Sequence, residues 1–294
     1  MASTVEEYLA QLKGRLSSAD PALVQDALYD AEEYLRSALA EAGGEPEAFA
    51  RVVESYGTPE EIAAAYRDVE MTVSKALRKP APASTKTGWG RFFGVVADAE
   101  AWGALFYMLL TLVTGILYFT VVVTGLSLTF GLAILIVGVP FALLFLAVVR
   151  AVSLAEGRVV EGLLGVRMPR RPRMLAARGD IVTRVKSWFT DVRTWTTMLY
   201  MALQLPLGTI YFSSVVTFLA VSTWLVVGPI AQLAFDVPIA RSFEYGYFLD
   251  PWAIPLVMAG GVLGFVLTLW LAKGVGRLHG AYAKAMLVGR AGEE

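Results

Sequence analysis

The feature that most constrains the fold is a long apolar stretch, Trp102 to Leu126, which recurs 93 residues later as Trp195 to Leu219. Over the 29 positions from Asp98 to Leu126, 13 residues are identical to their counterparts 93 positions on. Each copy is long and apolar enough to cross a bilayer, which takes about 20 helical residues. The repeat therefore predicts a membrane protein built from two homologous halves.

Composition supports a membrane protein with an acidic soluble head. Of the 294 residues 56% are hydrophobic, and the mean hydropathy is +0.57. Residues 1–74 contain 15 acidic and 5 basic residues, whereas residues 75–294 contain 11 acidic and 20 basic ones. The chain has no cysteine, which excludes disulfides, thiol nucleophiles and cysteine-ligated metals. No apolar run follows Met1, so we expect neither a signal peptide nor a membrane anchor there.

The head has the pattern of a small helical bundle. Apolar residues at helical spacing predict a first helix ending near Ser17: Val5, Tyr8, Leu9, Leu12 and Leu16. Asp20 is the expected N-cap of a second helix with Pro21 in its first turn, and Gly43-Gly44 is expected to end that helix. A third helix is expected over 46–55, and Thr58 is expected to cap a fourth.

The membrane part predicts four spans in two hairpins. The expected spans are 103–125, 131–150, 195–220 and 252–273, with 224–230 extending the third. A short uncharged loop, 125–130, joins the first pair, and 231–251 joins the second. An arginine-rich segment follows the second span, so the positive-inside rule puts it and both termini in the cytoplasm. Short amphipathic segments are expected behind the second and fourth spans, ending near 165 and 289.

The expected fold class is an all-α polytopic membrane protein with four transmembrane helices as two repeated hairpins and a small N-terminal cytoplasmic helical domain. The expected domains are 1–74 for the acidic head, 75–88 for a basic flexible linker and 89–290 for the four-span domain. The repeats within the four-span domain are expected at about 89–165 and 181–289. Two parallel repeats imply a pseudo-twofold axis along the membrane normal.

Two resemblances follow from these patterns. Residues 4–70 resemble the HAAS signalling domain, through Tyr8-Leu9-x-x-Leu12-x-x-x-Leu16, Tyr29-Asp30-Ala31-Glu32-Glu33-Tyr34 and Tyr56-Gly57-Thr58-Pro59-Glu60-Glu61-Ile62-Ala63. Residues 90–290 resemble the four-span "putative sensor" domain of actinobacterial membrane proteins, through the Asp191 to Gly208 pattern, Gly138-Val139-Pro140 and the paired Leu-Leu-Gly and Leu-Val-Gly ends. That domain often precedes a histidine kinase, which is not found after Gly289. Output is therefore expected through the head or a separate protein.

The sequence offers little for catalysis, so we expect no enzyme, no cofactor and no metal site. The single histidine, His279, follows Arg277 near the end of the fourth span, where a stacking or headgroup contact is expected. The four central stretches contain no ionisable residue, which disfavours a transporter. The arginine-rich loop either fixes the orientation of the protein in the membrane or binds anionic lipid headgroups. The candidate headgroup contacts are Arg167, Arg170, Arg171 and Arg173.

Two further sets of residues are candidates. The second outer connection mixes charges with aromatic groups, which suits either a recognition surface or an interfacial aromatic belt. Its candidates are Asp236, Arg241, Glu244, Tyr245, Tyr247, Asp250 and Trp252. Packing between the repeats is expected to involve Trp102, Tyr107, Tyr118, Trp195, Tyr200, Pro206 and Tyr211.

The sequence thus predicts a bacterial inner-membrane sensor or regulatory protein whose four-span domain responds to an envelope or lipid signal and passes it to a partner through the head. The alternative is a small transporter or an accessory subunit of a transporter complex. Expected partners are membrane lipids and a cytoplasmic or membrane protein, with a homo-oligomer left open. Nucleic acid is not expected, because the basic cluster is tethered to the bilayer without a DNA-reading motif.

Overall fold

A computed structural model describes residues 2–42, 48–77, 88–132, 135, 137–171, 190–241 and 245–288. The head contains α1 (Val5–Arg15), α2 (Pro21–Glu41), α3 (Ala48–Tyr56) and α4 (Pro59–Leu77). A short α5 (Gly88–Phe93) and a 3-10 turn (Gly94–Ala97) lead into α6 (Ala99–Gly131) and α7 (Gly138–Leu164). The remaining elements are α8 (Val192–Phe235), β1 (Ala240–Arg241), β2 (Gly246–Tyr247) and α9 (Ile254–Leu287). The predicted all-α fold class is confirmed.

Two helices of the head, α2 and α4, begin where their capping residues predict, whereas Gly43-Gly44, expected to end α2, lies outside the described residues. Asp20 caps α2 by accepting a hydrogen bond from the backbone N–H of Ala22 (2.9 Å). Thr58 and Glu61 form a reciprocal capping box at the start of α4, with Thr58 N–H donating to Glu61 over 2.8 Å and Glu61 N–H donating to Thr58 over 3.3 Å. Gly57 has a φ of +112°, a conformation that glycine adopts readily, and its carbonyl accepts from the Tyr8 hydroxyl (2.8 Å).

The head encloses its own hydrophobic core. Helix α1 packs against α2 and α4, and α2 also contacts α3. The buried core residues are Val5, Tyr8, Leu12, Leu16, Leu23, Ala27, Ala31, Leu35, Val52 and Ala63. Because these side chains come only from α1 to α4, the head does not depend on the long helices for its core.

Four helices within the described residues, α6 to α9, are long and apolar enough to cross a membrane. The first turn lies later than predicted. The expected loop 125–130 is helical, because α6 continues to Gly131 and α7 starts at Gly138. A glycine such as Gly125 is tolerated within a membrane helix, where the backbone must satisfy its hydrogen bonds internally. The segments expected behind the second and fourth spans are continuous with α7 and α9.

Two glycines allow α6 and α8 to touch backbone to backbone. A Cβ atom at Gly115 of α6 would lie 2.6 Å from the carbonyl oxygen of Gln204, and one at Gly208 of α8 would lie 2.5 Å from the carbonyl oxygen of Thr111. Gly208 is 93 residues after Gly115, and Gln204 is 93 residues after Thr111. The same glycine-to-carbonyl contact therefore occurs twice, once with the glycine on α6 and once with the glycine on α8. A pseudo-twofold arrangement of the two helices requires this.

The chain folds into two compact units, and the head shares one of them with parts of the long helices. The first unit comprises Met1–Arg78, Thr120–Ala202 and Gly280–Glu294. The second comprises Lys79–Phe119 and Leu203–His279. Its buried core is formed by Val95, Ala101, Leu105, Met108, Val215, Val266, Leu269 and Ala272.

The end of α8 is joined to α9 by a small hairpin in the second unit. Ala240 of β1 pairs with Tyr247 of β2 in antiparallel register. The amide of Gln232 on α8 bonds both the N–H and the carbonyl of Leu249, over 2.9 and 2.8 Å. The indole N–H of Trp224 donates to the carbonyl of Ile239 (3.0 Å). These bonds attach the hairpin to the last turns of α8, which extends beyond its predicted end as far as Phe235.

Candidate functional site

The N-cap aspartate of α2 and two aspartates within this helix face basic residues that belong to the arginine-rich segment and to α9, within the first unit. We call this contact the docking site and define it by seven residues. They are Asp20, Asp26 and Asp30 on the head and Arg167, Arg170, Arg171 and Lys284 opposite. The contact connects the acidic head to the membrane part through opposite charges.

Asp26 is the centre of the docking site. Its carboxylate is 5% exposed, and one oxygen accepts hydrogen bonds from the backbone N–H groups of Arg170 (2.7 Å) and Arg171 (2.8 Å). The other oxygen lies 3.6 Å from the guanidinium of Arg167. Burial raises the pKa of Asp26, while the two N–H donors and Arg167 counteract that rise. An aspartate on the buried face of α2 therefore recognises the backbone of the segment opposite.

Arg167 lies between a carboxylate of the head and a carboxylate of α7. Besides Asp26, its guanidinium lies 3.6 Å from Glu161, which is 6% exposed. Arg170 also reaches Glu161, over 3.3 Å. Since Glu161 belongs to the last turn of α7, this network continues from the head into one of the long helices.

A second contact lies one helical turn further along α2. The carboxylate of Asp30 is 2.9 Å from the guanidinium of Arg171 and accepts a hydrogen bond from the Tyr66 hydroxyl (2.8 Å). Burial, followed by the neighbouring Asp30, raises the pKa of Tyr66, so the hydroxyl keeps its proton and remains a donor. The guanidinium of Arg171 also lies 5.6 Å from the ring centroid of Tyr29. Asp30 thus links the docking site to the core helix α4.

The start of α2 contributes the remaining contacts. Lys284, in the last turn of α9, forms an ion pair with Asp20, which at the same time caps α2. The side-chain amide of Gln25 donates to the carbonyl of Arg171 (2.8 Å). The head is therefore held by polar groups along α2 from Asp20 to Asp30.

The segment opposite the head, residues 165–171, is placed by a glycine and a buried methionine. Gly165 ends α7 with a φ of +70°, a left-handed conformation that reverses the chain direction. Met168 is completely buried and lies against Gly157 of α7, where a Cβ atom would be 3.4 Å away. A Cβ atom at Gly280 of α9 would meet Val166 at 2.5 Å. Close packing against α7 and α9 therefore fixes the amides that Asp26 binds.

Another buried carboxylate in this unit lies deeper along α7. Glu156 is 1% exposed and accepts a hydrogen bond from the Tyr200 hydroxyl (2.9 Å). The ring of Tyr200 lies 5.2 Å from that of Tyr282, centroid to centroid. Neither Glu156 nor Glu161 was expected to be buried within a helix, because the second span was expected to end at residue 150.

The second unit contains a separate buried polar cluster around His279. The Nε2 atom of His279 is hydrogen bonded to the Tyr107 hydroxyl (2.8 Å), which also accepts from the Gln204 amide (3.0 Å). Its Nδ1 atom lies 3.3 Å from the Tyr211 hydroxyl. Of the stacking or headgroup contact expected for His279, the aromatic alternative is the one present, and the side chain is only 2% exposed. The described residues contain no group of three or more metal-ligating side chains.

The residues expected to pack between repeats occupy different environments. Tyr107, Tyr118 and Tyr200 are buried, and Tyr211 is half-buried against His279. Trp102 and Trp195 are partly exposed, at 44% and 43%. Pro206 is exposed, and α8 continues as a helix through it.

The residues expected to form the outer surface are exposed wherever the structure describes them. This holds for Asp236, Arg241, Tyr245, Tyr247, Asp250 and Trp252. Glu244 lies outside the described residues. The hairpin therefore presents aromatic groups to its surroundings.

Three of the four expected headgroup ligands are directed at carboxylates of the same chain. Arg167, Arg170 and Arg171 belong to the docking site, and Arg173 lies outside the described residues. Sequence analysis did not identify Asp26 as a site residue. A signal was present, since Asp26 lies beside Leu23 and Ala27 on the apolar face of α2, where an aspartate needs a partner.

Comparison with known proteins agrees with this two-part organisation. Residues 7–65 match the family model described as HAAS, and residues 107–287 match the model described as "Putative sensor". The order is the predicted one, a HAAS domain followed by a sensor domain. Searches of curated proteins and of solved structures find no match. The sensor match spans more than half of the chain, which therefore belongs to the family described as "Putative sensor".

Proposed function

We propose that this protein is a bacterial membrane sensor that transmits an envelope or lipid signal to a partner by docking or releasing its helical head. Membership of the sensor family together with a HAAS domain indicates a signalling role. The observation that supports the docking step is the buried Asp26 carboxylate, which accepts from two backbone amides of the segment that follows α7. Any movement of that segment with α7 would change this contact.

The docking site has the energetics that a switch requires. Its contacts are ion pairs and hydrogen bonds, in which the cost of desolvation offsets much of the attraction. The net free energy of docking is then small, and a signal worth a few kcal/mol shifts the population. The head keeps its own core from α1 to α4, so release does not require it to unfold.

Release would uncover a surface for the partner. The face of α2 that carries Asp26, Tyr29 and Asp30 is engaged by residues 167–171 when the head is docked. Acidic groups mixed with an aromatic ring suit a basic surface on a cytoplasmic or membrane protein. The same face would then alternate between the segment and the partner.

The docking step is tested with spin labels on the full-length protein in lipid nanodiscs. The chain has no cysteine, so exposed residues Glu33 on the head and Arg158 on α7 can be replaced by cysteine and labelled without background. We expect one narrow distance distribution for the wild-type pair. Asp26→Ala should broaden it, because the substitution removes the acceptor of two part-buried hydrogen bonds, each worth about 1 kcal/mol.

The matched control is Asp68→Ala, which removes an exposed carboxylate from the same domain. It should leave the distribution unchanged. An identical narrow distribution in Asp26→Ala would contradict the proposal that this contact holds the head.

We also propose an orientation in the inner membrane with both termini in the cytoplasm, supported by the basic residues that follow the second span. Single cysteines at Glu33, Leu135, Arg158 and Tyr247 test it, since all four residues are exposed. A membrane-impermeant reagent added to intact cells should label only Leu135→Cys and Tyr247→Cys. Labelling of Arg158→Cys from outside would contradict this orientation.

A further inference from the structure

A cavity of about 80 Å³ adjoins the docking site within the first unit. Gln25 of the head, Arg150 of α7 and Arg193 of α8 line it, together with apolar side chains that include Leu146, Val149 and Leu287. None of these six residues belongs to the seven that define the docking site. The cavity therefore lies where the head and three of the long helices contribute side chains to one space.

We propose that this cavity binds the phosphate group of an anionic lipid. Arg150 and Arg193 both line the cavity, and guanidinium groups bind phosphate oxygens through paired, charge-assisted hydrogen bonds. The hydroxyl groups of Thr194 and Thr197 add donors to the same lining, whereas the Ser153 hydroxyl donates to the carbonyl of Arg150 (2.9 Å). The carboxylate of Asp191 also lines the cavity, and it accepts from the backbone N–H of Arg193 (3.1 Å). Among the described residues, the lining contains two guanidinium groups and one carboxylate, a balance that favours an anionic ligand.

The position of the two arginines along their helices fits a headgroup. Arg150 is the first charged residue after the apolar run of α7, and Arg193 precedes the apolar run of α8. Basic residues at the ends of spans lie at the depth of the lipid phosphates. The guanidinium of Arg193 also donates to the carbonyl of Val288, which fixes its position at the end of α9.

The cavity is large enough for the phosphate group of a lipid but not for a whole lipid molecule. A cavity of this volume holds several waters or one phosphate group, since one water needs about 10–15 Å³ by the same measure. Leu146, Val149 and Leu154 provide an apolar wall for the carbon atoms attached to the phosphate. The acyl chains would stay outside, along the surface of the helices.

Occupancy of the cavity would favour the docked head, an inference that rests on the proposed function. Gln25 lines the cavity and also donates to the carbonyl of Arg171 in the docking site. A ligand that contacts both Gln25 and the arginines binds the docked state more tightly than the released one. Its binding then stabilises docking in proportion to its concentration relative to its dissociation constant.

The experiment compares lipid with free phosphate on the full-length protein. Nanodiscs contain phosphatidylcholine alone, phosphatidylcholine with phosphatidylglycerol, or phosphatidylcholine with inorganic phosphate in the buffer. Native mass spectrometry measures retained phosphatidylglycerol, ³¹P NMR titration measures inorganic phosphate binding, and the Glu33–Arg158 labels measure docking. We expect wild type to retain phosphatidylglycerol and to show a narrower distance distribution with it.

The double variant Arg150→Gln/Arg193→Gln should bind phosphatidylglycerol at least about tenfold more weakly, since it removes both guanidinium groups that donate charge-assisted hydrogen bonds to the phosphate. Arg241→Gln, which neutralises an exposed arginine of the hairpin, is the matched control and should bind as wild type does. Thr197→Leu fills the cavity without removing a charge and should also lose the lipid. This second variant keeps the test decisive if the double variant does not fold.

The outcomes separate the two proposals and the two sources of phosphate. Arginine-dependent binding of inorganic phosphate, without lipid, would overturn the lipid assignment. Equal lipid retention by wild type, the double variant and Thr197→Leu would overturn the site. If lipid binding depends on the arginines but the distance distribution does not respond, the site stands and its coupling to the head is wrong. If Asp26→Ala releases the head while lipid binds elsewhere, the proposed function stands and this inference fails.

Discussion

The two copies of the repeated helix, α6 and α8, share one backbone contact but assign equivalent polar residues to different partners. Gly115 packs against the carbonyl oxygen of Gln204, which lies four positions before Gly208. Gly208 packs in the same way against the carbonyl oxygen of Thr111, four positions before Gly115. Tyr107, however, is hydrogen bonded to His279, whereas its counterpart Tyr200 donates to Glu156. The repeat therefore preserved the geometry of the helix crossing while the polar contacts diverged.

The aspartates that precede the two helices differ in the same way. Asp98 caps α6 through the backbone N–H of Glu100 (2.9 Å) and forms an ion pair with Lys273. Burial by itself raises the pKa of Asp98, but Lys273 and the Glu100 N–H together hold it below its usual value. Its counterpart Asp191 caps α8 and lines the proposed phosphate cavity. Asp98 thus pairs with Lys273 of α9, and its counterpart Asp191 borders a cavity.

The glycine crossing is the shared feature, and breaking it should have the largest effect. Gly115→Ala and Gly208→Ala should each destabilise the protein by about 3 kcal/mol, because the added Cβ meets backbone atoms that cannot rotate away. Thermal unfolding of the detergent-solubilised protein measures this. Gly274→Ala in α9 has open space around its Cβ and is the matched control, with a change of at most about 1 kcal/mol. Clearly unequal losses of stability for Gly115→Ala and Gly208→Ala would contradict the pseudo-twofold symmetry of this contact.

Removal of the two equivalent hydroxyls should have a smaller, unequal effect. Tyr200→Phe should cost about 2 kcal/mol, since a buried carboxylate loses a donor, and Tyr107→Phe should cost about 1 kcal/mol, since its partners are an imidazole and an amide. Unfolding midpoints under the same conditions measure the difference. Tyr247→Phe, on the exposed hairpin, should change nothing. A larger loss of stability for Tyr107→Phe than for Tyr200→Phe would contradict this expected difference between the two sites.

The hairpin between α8 and α9 should matter least for folding. Replacement of residues 237–248 by a short Gly/Ser turn should change the unfolding free energy by less than about 1 kcal/mol, because the described side chains among those removed are mostly exposed and six residues suffice to connect α6 to α7. Unfolding and the Glu33–Arg158 distance measure this. A variant that folds and docks but no longer responds to its stimulus would support a recognition role for the hairpin. Failure to insert would show instead that the hairpin is structural.

Local patterns predicted the helices of the head and the four long helices, but not the β1–β2 hairpin. Asp20 and Thr58 cap helices where they were expected to, since a cap depends on a few neighbouring residues. The four long apolar helices also follow from local composition. The first turn was misplaced by several residues, because Gly125 breaks helices in water more readily than in a membrane.

The apolar spans, the repeat and the acidic head follow from the sequence alone, because periodicity, capping and charge are properties of neighbouring residues. That Asp26 faces the amides of residues 170 and 171, which are 144 and 145 positions away, follows only from the packing of the folded chain. The same holds for His279, which lies against Tyr107 rather than at a headgroup. Partners that distant along the chain leave no local pattern, and they are brought together only when the helices pack.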